Sequence, residues 1–189
     1  AAMRAHMHEI EPKVDDVIFL RDSFVQSLGS GLCILEPQEP TDWNILAEWE
    51  GYPFGKDDGT LGLDWDTALK AADFSAMSLD YLNNYVRRTP KIARREGNNI
   101  EEKLVPEEAS PYFQISRYKV STAMDIPKAK SFHCITVTKG SGMLHGSFGH
   151  VPIKRGKSLF VPACINRYDL VNDGETMLEA LYFFPPEVS

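Results

Sequence analysis

The stretch that decides the fold is residues 132–170, "FHCITVTKGSGMLHGSFGHVPIKRGKSLFVPACINRYDL". Short runs of β-branched, aliphatic and aromatic residues alternate there with Gly, Pro and Asn, which is typical of short strands joined by tight turns. Two flanking runs, residues 112–120 and 176–184, have the same composition. From residue 112 onward we count seven candidate strands and no helix. This pattern predicts an antiparallel sandwich or barrel.

The barrel core can be predicted from the apolar residues of these strands. Successive side chains of a strand point to opposite faces, so the apolar residues of one strand cannot all enter a core that covers one face. Along "FHCITVTK" this alternation places Phe132 on the face opposite to Ile135 and Val137. The predicted core consists of Phe132, Ile135, Val137, Leu159, Val161, Leu170, Leu178 and Leu181.

The residues before the barrel contain candidate strands and helices. Aliphatic runs at residues 14–20, 31–36 and 42–49 predict short strands, and a loop rich in Gly, Pro and Asp follows them. Helical spacing predicts one helix over residues 64–73, with Asp64 as its N-cap, and a second over residues 76–86. The side chains expected to pack inward are Trp65, Leu69, Leu79 and Leu82.

A charged segment, residues 87–110, separates the helices from the barrel. It is rich in turn-forming residues, which favours a solvated linker or a long surface loop. The alternative is a phosphate site, because one or two cationic side chains are enough to bind a sugar phosphate. The candidates for that site are Arg87, Arg88, Lys91, Arg94 and Arg95.

The composition restricts the class of partner and the compartment. A net charge of −7 and a pI of about 5.2 argue against a nucleic-acid partner, which requires a basic face. No apolar run reaches membrane-spanning length, so we expect no membrane partner, and no signal peptide is visible. Cys33, Cys134 and Cys164 are scattered and show no ligand spacing. A reducing compartment, the cytoplasm, is the expected location.

Two segments of the chain show a weak internal repeat. "KVDDVIFLRDSFVQSLGSG" aligns with "KRGKSLFVPACINRYDLVN", so that Asp15 falls on Gly156, Phe19 on Phe160 and Gln26 on Arg167. Each copy predicts a strand, a tight turn and a second strand. The repeat suggests two related barrels in tandem, with the first one incomplete; chance similarity of two hairpins is the alternative.

These motifs resemble the cupin superfamily, whose fold is a double-stranded β-helix of the jelly-roll type. "FHCITVTKGSGML" followed by "VPIKRGKSLFVPACINRYDL" resembles cupin strands around a Gly-x5-Pro turn, here Gly156 to Pro162. More narrowly, "VQSLGSGLCILEPQEPTDWNILAEW" and "LGLDWDTALKAADF" resemble the later portion of class I mannose-6-phosphate isomerases. The resemblance implies partial cupin strands over residues 1–62, a helical insert and linker over 63–110, and a cupin barrel over 111–189.

The same resemblance implies a zinc-dependent conversion of mannose 6-phosphate to fructose 6-phosphate. In that family a Gln, two His and a Glu hold the metal and an Arg assists. The last metal His corresponds here to Gln26, and the assisting Arg corresponds to Leu46. The other ligands lie upstream in the family, outside this sequence. We therefore expect no catalytic residue and no cofactor in this chain, and Gln26 would contact zinc only if missing sequence supplied the other ligands.

The second barrel does not offer a replacement metal site in its sequence. The general cupin pattern requires a His-x-His, a Glu and a later His, and the last two positions are His133 and Arg167 here. We expect His133 to be a strand histidine with a local hydrogen bond rather than a ligand. His6 and His8 near the start, and His145 and His150 around a Gly-rich hairpin, are predicted to lie on the surface.

Three functional hypotheses remain open from the sequence. The first is an isomerase-like cupin that has lost its catalysis and binds at most a small sugar or sugar phosphate. The second is an active zinc-dependent isomerase, completed by missing N-terminal sequence. The third is a structural or regulatory cupin without a ligand. An incomplete first barrel would expose strand edges, so we also expect pairing with another copy of the chain.

Overall fold

The computed structural model describes residues 4–39 and 44–186, and these residues form two compact units. The first unit is drawn from Ala1–Ile10 and Ile18–Val86, and the second from Glu11–Val17 and Arg87–Ser189. Two strands of two residues, β1 (Val17–Ile18) and β2 (Arg87–Arg88), lie where the chain passes between the units. No helix of the described residues is long and apolar enough to cross a membrane.

The second unit is built from two antiparallel sheets. The six-stranded sheet has the order β10-β7-β12-β5-β4-β3, and the four-stranded sheet has the order β6-β11-β8-β9. The strands are β3 (Lys91–Glu96), β4 (Asn99–Lys103), β5 (Gln114–Val120), β6 (Ala123–Ile126), β7 (His133–Lys139), β8 (Ser141–Gly146), β9 (Gly149–Lys154), β10 (Ser158–Val161), β11 (Tyr168–Asn172) and β12 (Leu178–Phe184). All of residues 132–160 are described and none is helical, as the sequence predicted.

The turns between these strands depend on glycine at two positions. Gly140, between β7 and β8, has a φ of 75°, and a Cβ there would lie 2.8 Å from the carbonyl oxygen of Met177. Gly156, at the turn before β10, has a φ of 85°. Only glycine adopts such angles without a steric cost. Asp15, which aligns with Gly156 in the internal repeat, also has a positive φ, of 75°, but the repeat itself stays a prediction.

The core of the second unit lies between the two sheets. It contains residues from both, including Val120, Ile135 and Tyr182 from the six-stranded sheet and Leu144 and Leu170 from the four-stranded sheet. Of the predicted core, Ile135, Val137, Val161, Leu170 and Leu178 are buried, and Leu159 packs against them. Burial of apolar area on this scale is the main source of stability in a domain of this size.

Two predicted core residues are not in this core. Phe132 is 41% exposed, because it precedes β7 and packs at a tilt against the exposed Phe160 ring. Leu181 is half-buried, because successive side chains of β12 point to opposite faces. Leu178, Ala180 and Tyr182 share the face that meets the core, and Leu181 lies on the other face.

The predicted linker over residues 87–110 is wrong, because most of it is a hairpin of the six-stranded sheet. Strand β4 pairs with β5, and β3 forms the edge. The sequence did not predict this hairpin, because its many charged side chains are typical of a solvated segment. The three-part division into residues 1–62, 63–110 and 111–189 otherwise stays a prediction.

The first unit contains short helices and little sheet. The predicted Asp64 cap is confirmed, since its side chain accepts a hydrogen bond from the Thr67 amide at the start of α1 (Trp65–Ala68). Helix α2 (Leu79–Tyr81) begins after Ser78, which caps it in the same way. The remaining helical segments are 3-10 turns at Arg4–His6, Lys56–Thr60 and Leu69–Ala71 and a π-helical turn at Leu82–Val86, while a further 3-10 turn in the second unit spans Glu107–Ala109.

The predicted helices of the first unit are shorter than expected, and their inward faces differ. Leu69 and Leu79 are exposed, whereas Ala68 and Val86 are buried. The predicted strands are also mostly not formed: only Val17–Ile18 is a strand within residues 14–20, and neither 31–36 nor 44–49 is a strand. Residues 42 and 43 of the third predicted strand lie outside the described residues.

Candidate binding site on the barrel interior

Polar and aromatic side chains gather on the inner face of the six-stranded sheet. Cross-strand pairing sets them side by side: Glu101 of β4 is opposite Tyr118 of β5, and Lys103 is opposite Ser116. In turn, Ser116 is opposite Tyr182 of β12. We define the interior cluster as Arg94, Glu101, Lys103, Ser116, Tyr118, His133, Tyr182 and Phe184, together with Tyr168 of β11 in the four-stranded sheet.

The charged part of the interior cluster is centred on Glu101. Its carboxylate oxygens lie 3.4 Å from Arg94 Nε and 3.6 Å from Lys103 Nζ, and its side chain is only 13% exposed. Arg94 also donates to the Asp125 carbonyl oxygen at 2.7 Å and pairs with Glu96 at 3.2 Å. A carboxylate held between two cations can accept further hydrogen bonds, because each oxygen has two lone pairs.

Lys103 joins the charged and aromatic parts. Its ammonium donates to the Ser116 hydroxyl at 2.9 Å and lies 5.9 Å from the centroid of the Phe184 ring. An ammonium over an aromatic face is attracted by the ring quadrupole. The Lys103 side chain is 42% exposed, so solvent reaches this end of the cluster.

The aromatic part of the cluster is centred on His133. Its ring stacks on Tyr182 at 5.5 Å and packs against Phe184 at 5.2 Å, and its Nε2 shares a 2.7 Å hydrogen bond with the Tyr168 hydroxyl. Burial lowers the pKa of His133 to about 4, so the imidazole is neutral at neutral pH. Burial raises the pKa values of Tyr118, Tyr168 and Tyr182 above the ordinary tyrosine range, so all three keep their protons.

Two buried polar atoms in the aromatic part of the cluster lack a hydrogen-bond partner within the described residues. They are His133 Nδ1 and the Tyr182 hydroxyl oxygen. Buried polar groups are normally paired, because an unpaired one loses its hydration without compensation. Both atoms therefore have unused capacity for water or for a ligand hydroxyl.

The residues predicted from the family motif do not form a site. Gln26 is exposed, and Leu46 is exposed with its amide donating to the Gly59 carbonyl oxygen at 2.8 Å. Arg167, at the later His position, has a side chain that is 73% exposed and pairs with Asp125 at 2.7 Å. His133 is a strand histidine as predicted, but it is fully buried and its hydrogen-bond partner is on another strand.

The donor set does not fit a zinc site of the family type. Such a site needs several neutral imidazoles, thiolates or carboxylates converging on one point. Within residues 4–39 and 44–186 no three His, Cys, Asp or Glu side chains form such a group. In the interior cluster the one imidazole is surrounded by phenol and phenyl rings, and Glu101 is already held by two cations.

The predicted phosphate-binding cations are dispersed. Arg87 pairs with Asp16 at 3.6 Å and donates to the Glu11 carbonyl oxygen, and Arg88 pairs with Glu108 at 2.9 Å. Arg94 belongs to the interior cluster, and Lys91 and Arg95 are exposed. A separate cavity of about 610 Å³ lies in the first unit and includes Ser75, Ser78 and Tyr81 in its wall.

Most of the interior cluster was not predicted from the sequence. Glu101 and Lys103 were missed because residues 87–110 were predicted to be a linker, which has no sheet face. The missed signal was the alternation around β4, in which Glu101 and Lys103 share one face while Ile100 and Glu102 share the other. Tyr168 was missed because the cupin motif indicates its neighbour Arg167, whose side chain is exposed.

Comparison with known proteins agrees with this architecture. Residues 103–179 match the family model of the mannose-6-phosphate isomerase cupin domain. Among solved structures, the mannose 6-phosphate isomerase of Bacillus subtilis matches with a TM-score of 0.51 and 16% identity, over 74% of this chain and 37% of that one. No curated protein sequence matches the chain.

Two further solved structures match about half of the chain. The polyketide cyclase RemF of Streptomyces resistomycificus has a TM-score of 0.44 and 21% identity, over 52% of this chain and 74% of its own. A predicted oxalate decarboxylase of Thermotoga maritima has a TM-score of 0.44 and 22% identity, over 52% of this chain and 93% of its own.

The two sheets, their core and the family match define the class of fold: it is mainly β and of the cupin type, with a small helical insert. More particularly, the chain resembles the C-terminal portion of class I mannose-6-phosphate isomerase. The chain spans 37% of the length of the Bacillus subtilis isomerase, and the likeness at 16% identity concerns the fold alone.

Proposed function

We propose that this isomerase-related cupin binds a small sugar or sugar phosphate at the exposed end of the interior cluster, without catalysing its isomerisation. The observation that carries the proposal is the position of Lys103. Its ammonium lies between the Ser116 hydroxyl, the Glu101 carboxylate and the Phe184 ring, and the side chain remains open to solvent.

This arrangement suits a polyhydroxylated ligand. Small-molecule sites combine apolar or aromatic surface with a few well-placed polar groups that fix orientation. Phe184 offers a ring to the C–H face of a sugar, while Glu101 accepts from hydroxyl groups and Lys103 donates to oxygen atoms. A phosphate group would gain a charge-assisted bond from the same ammonium.

The absence of catalysis is proposed from the chemistry of the donor set. Moving a proton between the adjacent carbons of a sugar requires stabilisation of an enediolate, which the related isomerases obtain from a metal ion. The described residues do not fit that ion, and Gln26 and Leu46 lie exposed in the first unit. The role we propose in sugar-phosphate metabolism is therefore binding.

A ligand screen with matched variants tests the proposal. Thermal unfolding is followed in EDTA with mannose, mannose 6-phosphate, fructose 6-phosphate and inorganic phosphate. We expect one of the sugars to raise the melting temperature of the natural chain, because a ligand that binds only the folded state stabilises it. Lys103→Ala should abolish the shift, while Lys139→Ala should retain it, because Lys139 pairs with Glu179 elsewhere on the sheet.

The same screen distinguishes ligand binding at the interior cluster from ligand binding in the cavity of the first unit. Loss of the shift in Tyr81→Ala, with Lys103→Ala unaffected, would place the ligand in that cavity and contradict the proposed site. A shift with inorganic phosphate alone would show that phosphate, and not the sugar, is recognised. No shift with any of the four compounds would refute binding altogether.

We also propose a cytoplasmic location for the protein. In the described part of the chain, Cys33, Cys134 and Cys164 are free thiols, and Cys33 and Cys164 are exposed. Exposed thiols persist most readily in a reducing compartment. Fluorescence microscopy of the tagged protein in its own cell tests the location, and a periplasmic or extracellular signal would contradict it.

A further inference from the structure

Two histidines of the four-stranded sheet face each other on neighbouring strands. His145 of β8 is directly opposite His150 of β9, and the pair lies one step from the hairpin turn. The pair nearest the turn, Gly146 and Gly149, closes a two-residue loop. In a two-residue hairpin the closing pair, here Gly146 and Gly149, is hydrogen-bonded. The next pair, His145 and His150, is therefore a non-hydrogen-bonded pair, in which the two side chains lie closer together.

We propose that His145 and His150 form a surface site for one divalent first-row transition-metal ion, with water in the remaining coordination positions. The proposal rests on the geometry of the hairpin and is independent of the sugar site. Neutral imidazole is a preferred ligand of zinc, nickel and copper. A pair of imidazoles is the smallest chelate that a β-hairpin can present.

The distances between the rings suit a shared ion. The ring centroids are 4.2 Å apart and the planes are inclined by 23°. With Zn–N bonds of about 2.0–2.1 Å and tetrahedral angles, two ligand nitrogens lie about 3.3 Å apart. Small rotations about the side-chain bonds can turn one nitrogen of each ring toward that common point, because both side chains are exposed.

The backbone beneath the pair is already fixed. Six cross-strand pairs, from Ser141–Lys154 to Gly146–Gly149, hold β8 and β9 together, and β11 pairs with β8 on its other side. Ion binding therefore needs to order only two side chains, which lowers its entropic cost. Strand β9 is the edge of its sheet, so the His150 side of the pair is open to solvent.

The surrounding charge favours a cation. Asp169 of β11 is directly opposite His145, so its carboxylate lies on the same face of the sheet. On the other side of Asp169, Asp125 of β6 is directly opposite it, and the charge of Asp125 is balanced by Arg167. Because the three side chains Asp169, His145 and His150 do not converge, Asp169 acts as a neighbouring charge and not as a ligand.

Zinc titration of the untagged chain tests the site. We expect isothermal titration with zinc chloride to show one ion per chain, and His145→Asn and His150→Asn each to weaken binding at least tenfold. Asp169→Asn should weaken it less. The imidazole NMR signals of His145 and His150 should shift on zinc addition, while those of buried His133 should not.

The matched control is the double variant His6→Asn, His8→Asn, which removes the other surface histidines of the chain. It should bind zinc as the natural chain does. Zinc affinity that is lost in this double variant, or unchanged in both His145→Asn and His150→Asn, would overturn the proposal. So would an absence of zinc binding at millimolar concentration. Thermal unfolding of each variant checks that the fold is kept.

Discussion

His133 Nε2 and the Tyr168 hydroxyl lie 2.7 Å apart in the barrel core, at the place where the general cupin pattern has a metal-binding carboxylate. The two rings are also nearly parallel, at an interplanar angle of 9°. A neutral imidazole bonded to a phenol and stacked among aromatic rings is suited to packing, and its charged form is disfavoured there. His133 therefore acts as a packing residue of the barrel core.

The buried His133 should make stability depend on pH. Its pKa is about 4 in the folded chain and about 6.5 when unfolded, so the unfolded state binds the extra proton between these values. His133 thus contributes its full stabilisation above about pH 6.5 and loses it as the pH falls toward 4. The loss should be about 3 kcal/mol.

Urea unfolding of the natural chain and of His133→Phe between pH 7 and pH 4 measures this contribution. The natural chain should lose more free energy of unfolding over the interval than the variant, because Phe cannot take up the proton. Carboxylates titrate in both proteins, so their contribution cancels when the pH dependence of the variant is subtracted from that of the natural chain. Exposed His145→Asn serves as a control and should follow the natural chain. Equal pH dependence in all three proteins would contradict the prediction.

Replacement of a core leucine and of an exposed leucine should differ sharply. Leu170 is fully buried between the sheets, so Leu170→Ala should cost about 2–5 kcal/mol through lost burial and a residual cavity. Leu69 is 38% exposed, so Leu69→Ala should cost less than about 1 kcal/mol, although helical spacing had placed it in the core. Chemical denaturation measures both, and a cost at Leu69 equal to that at Leu170 would contradict the observed burial.

The sequence predicted the barrel well because its strands alternate clearly. Along β7, Ile135 and Val137 enter the core as the alternation required, and the Gly-x5-Pro turn is present at Gly156. The first unit was predicted poorly, since a run such as residues 31–36 is apolar without forming a strand. An apolar run in a sequence does not show whether another strand is available to pair with it.

The interior cluster was harder to predict than the fold. The sequence indicates surface positions for Lys103 and Glu101, because a run of charged residues is usually solvated. What places them on the inner face is the pairing of β4 with β5, a contact between segments separated by a turn and a loop. The burial of Tyr182, by contrast, follows from the alternation of β12, in which Leu178, Ala180 and Tyr182 share the core face.

A buried ion-pair network on the outer face of the six-stranded sheet should be important for stability. Arg117 Nε lies 2.7 Å from Glu102 Oε2, both side chains are largely buried, and Arg117 Nη1 also pairs with Asp15 at 3.1 Å. Glu102→Gln leaves the guanidinium buried with one partner fewer, so it should cost about 3–5 kcal/mol. Glu108→Gln, at the more exposed pair with Arg88, should cost at most about 1 kcal/mol. Similar losses from both changes, measured by urea unfolding, would contradict this ranking.

Pairing of copies through a sheet edge remains a prediction, and β10 is the edge on which we test it. Phe160 on this strand is 61% exposed, and its ring centroid lies 5.3 Å from that of Phe132. Exposed edge strands with apolar side chains promote association. Light scattering after gel filtration should show a dimer that Phe160→Ser converts to monomer, while Ile92→Ser, on the opposite edge strand β3, should leave it unchanged. A monomeric natural chain, or a dimer that survives Phe160→Ser, would reject this edge.

The isolated chain should not isomerise mannose 6-phosphate, even with added zinc. Removing a single electrostatic donor from an active site costs about 2.7–4 kcal/mol of barrier, and the residues described here offer no group of three metal ligands. The double variant Gln26→His, Leu46→Arg should remain inactive, because both positions are exposed and the other ligands are not supplied. A coupled assay for fructose 6-phosphate measures turnover, with His150→Asn as a control for zinc held at the surface pair. Turnover above background in the natural chain would show that it is an active isomerase.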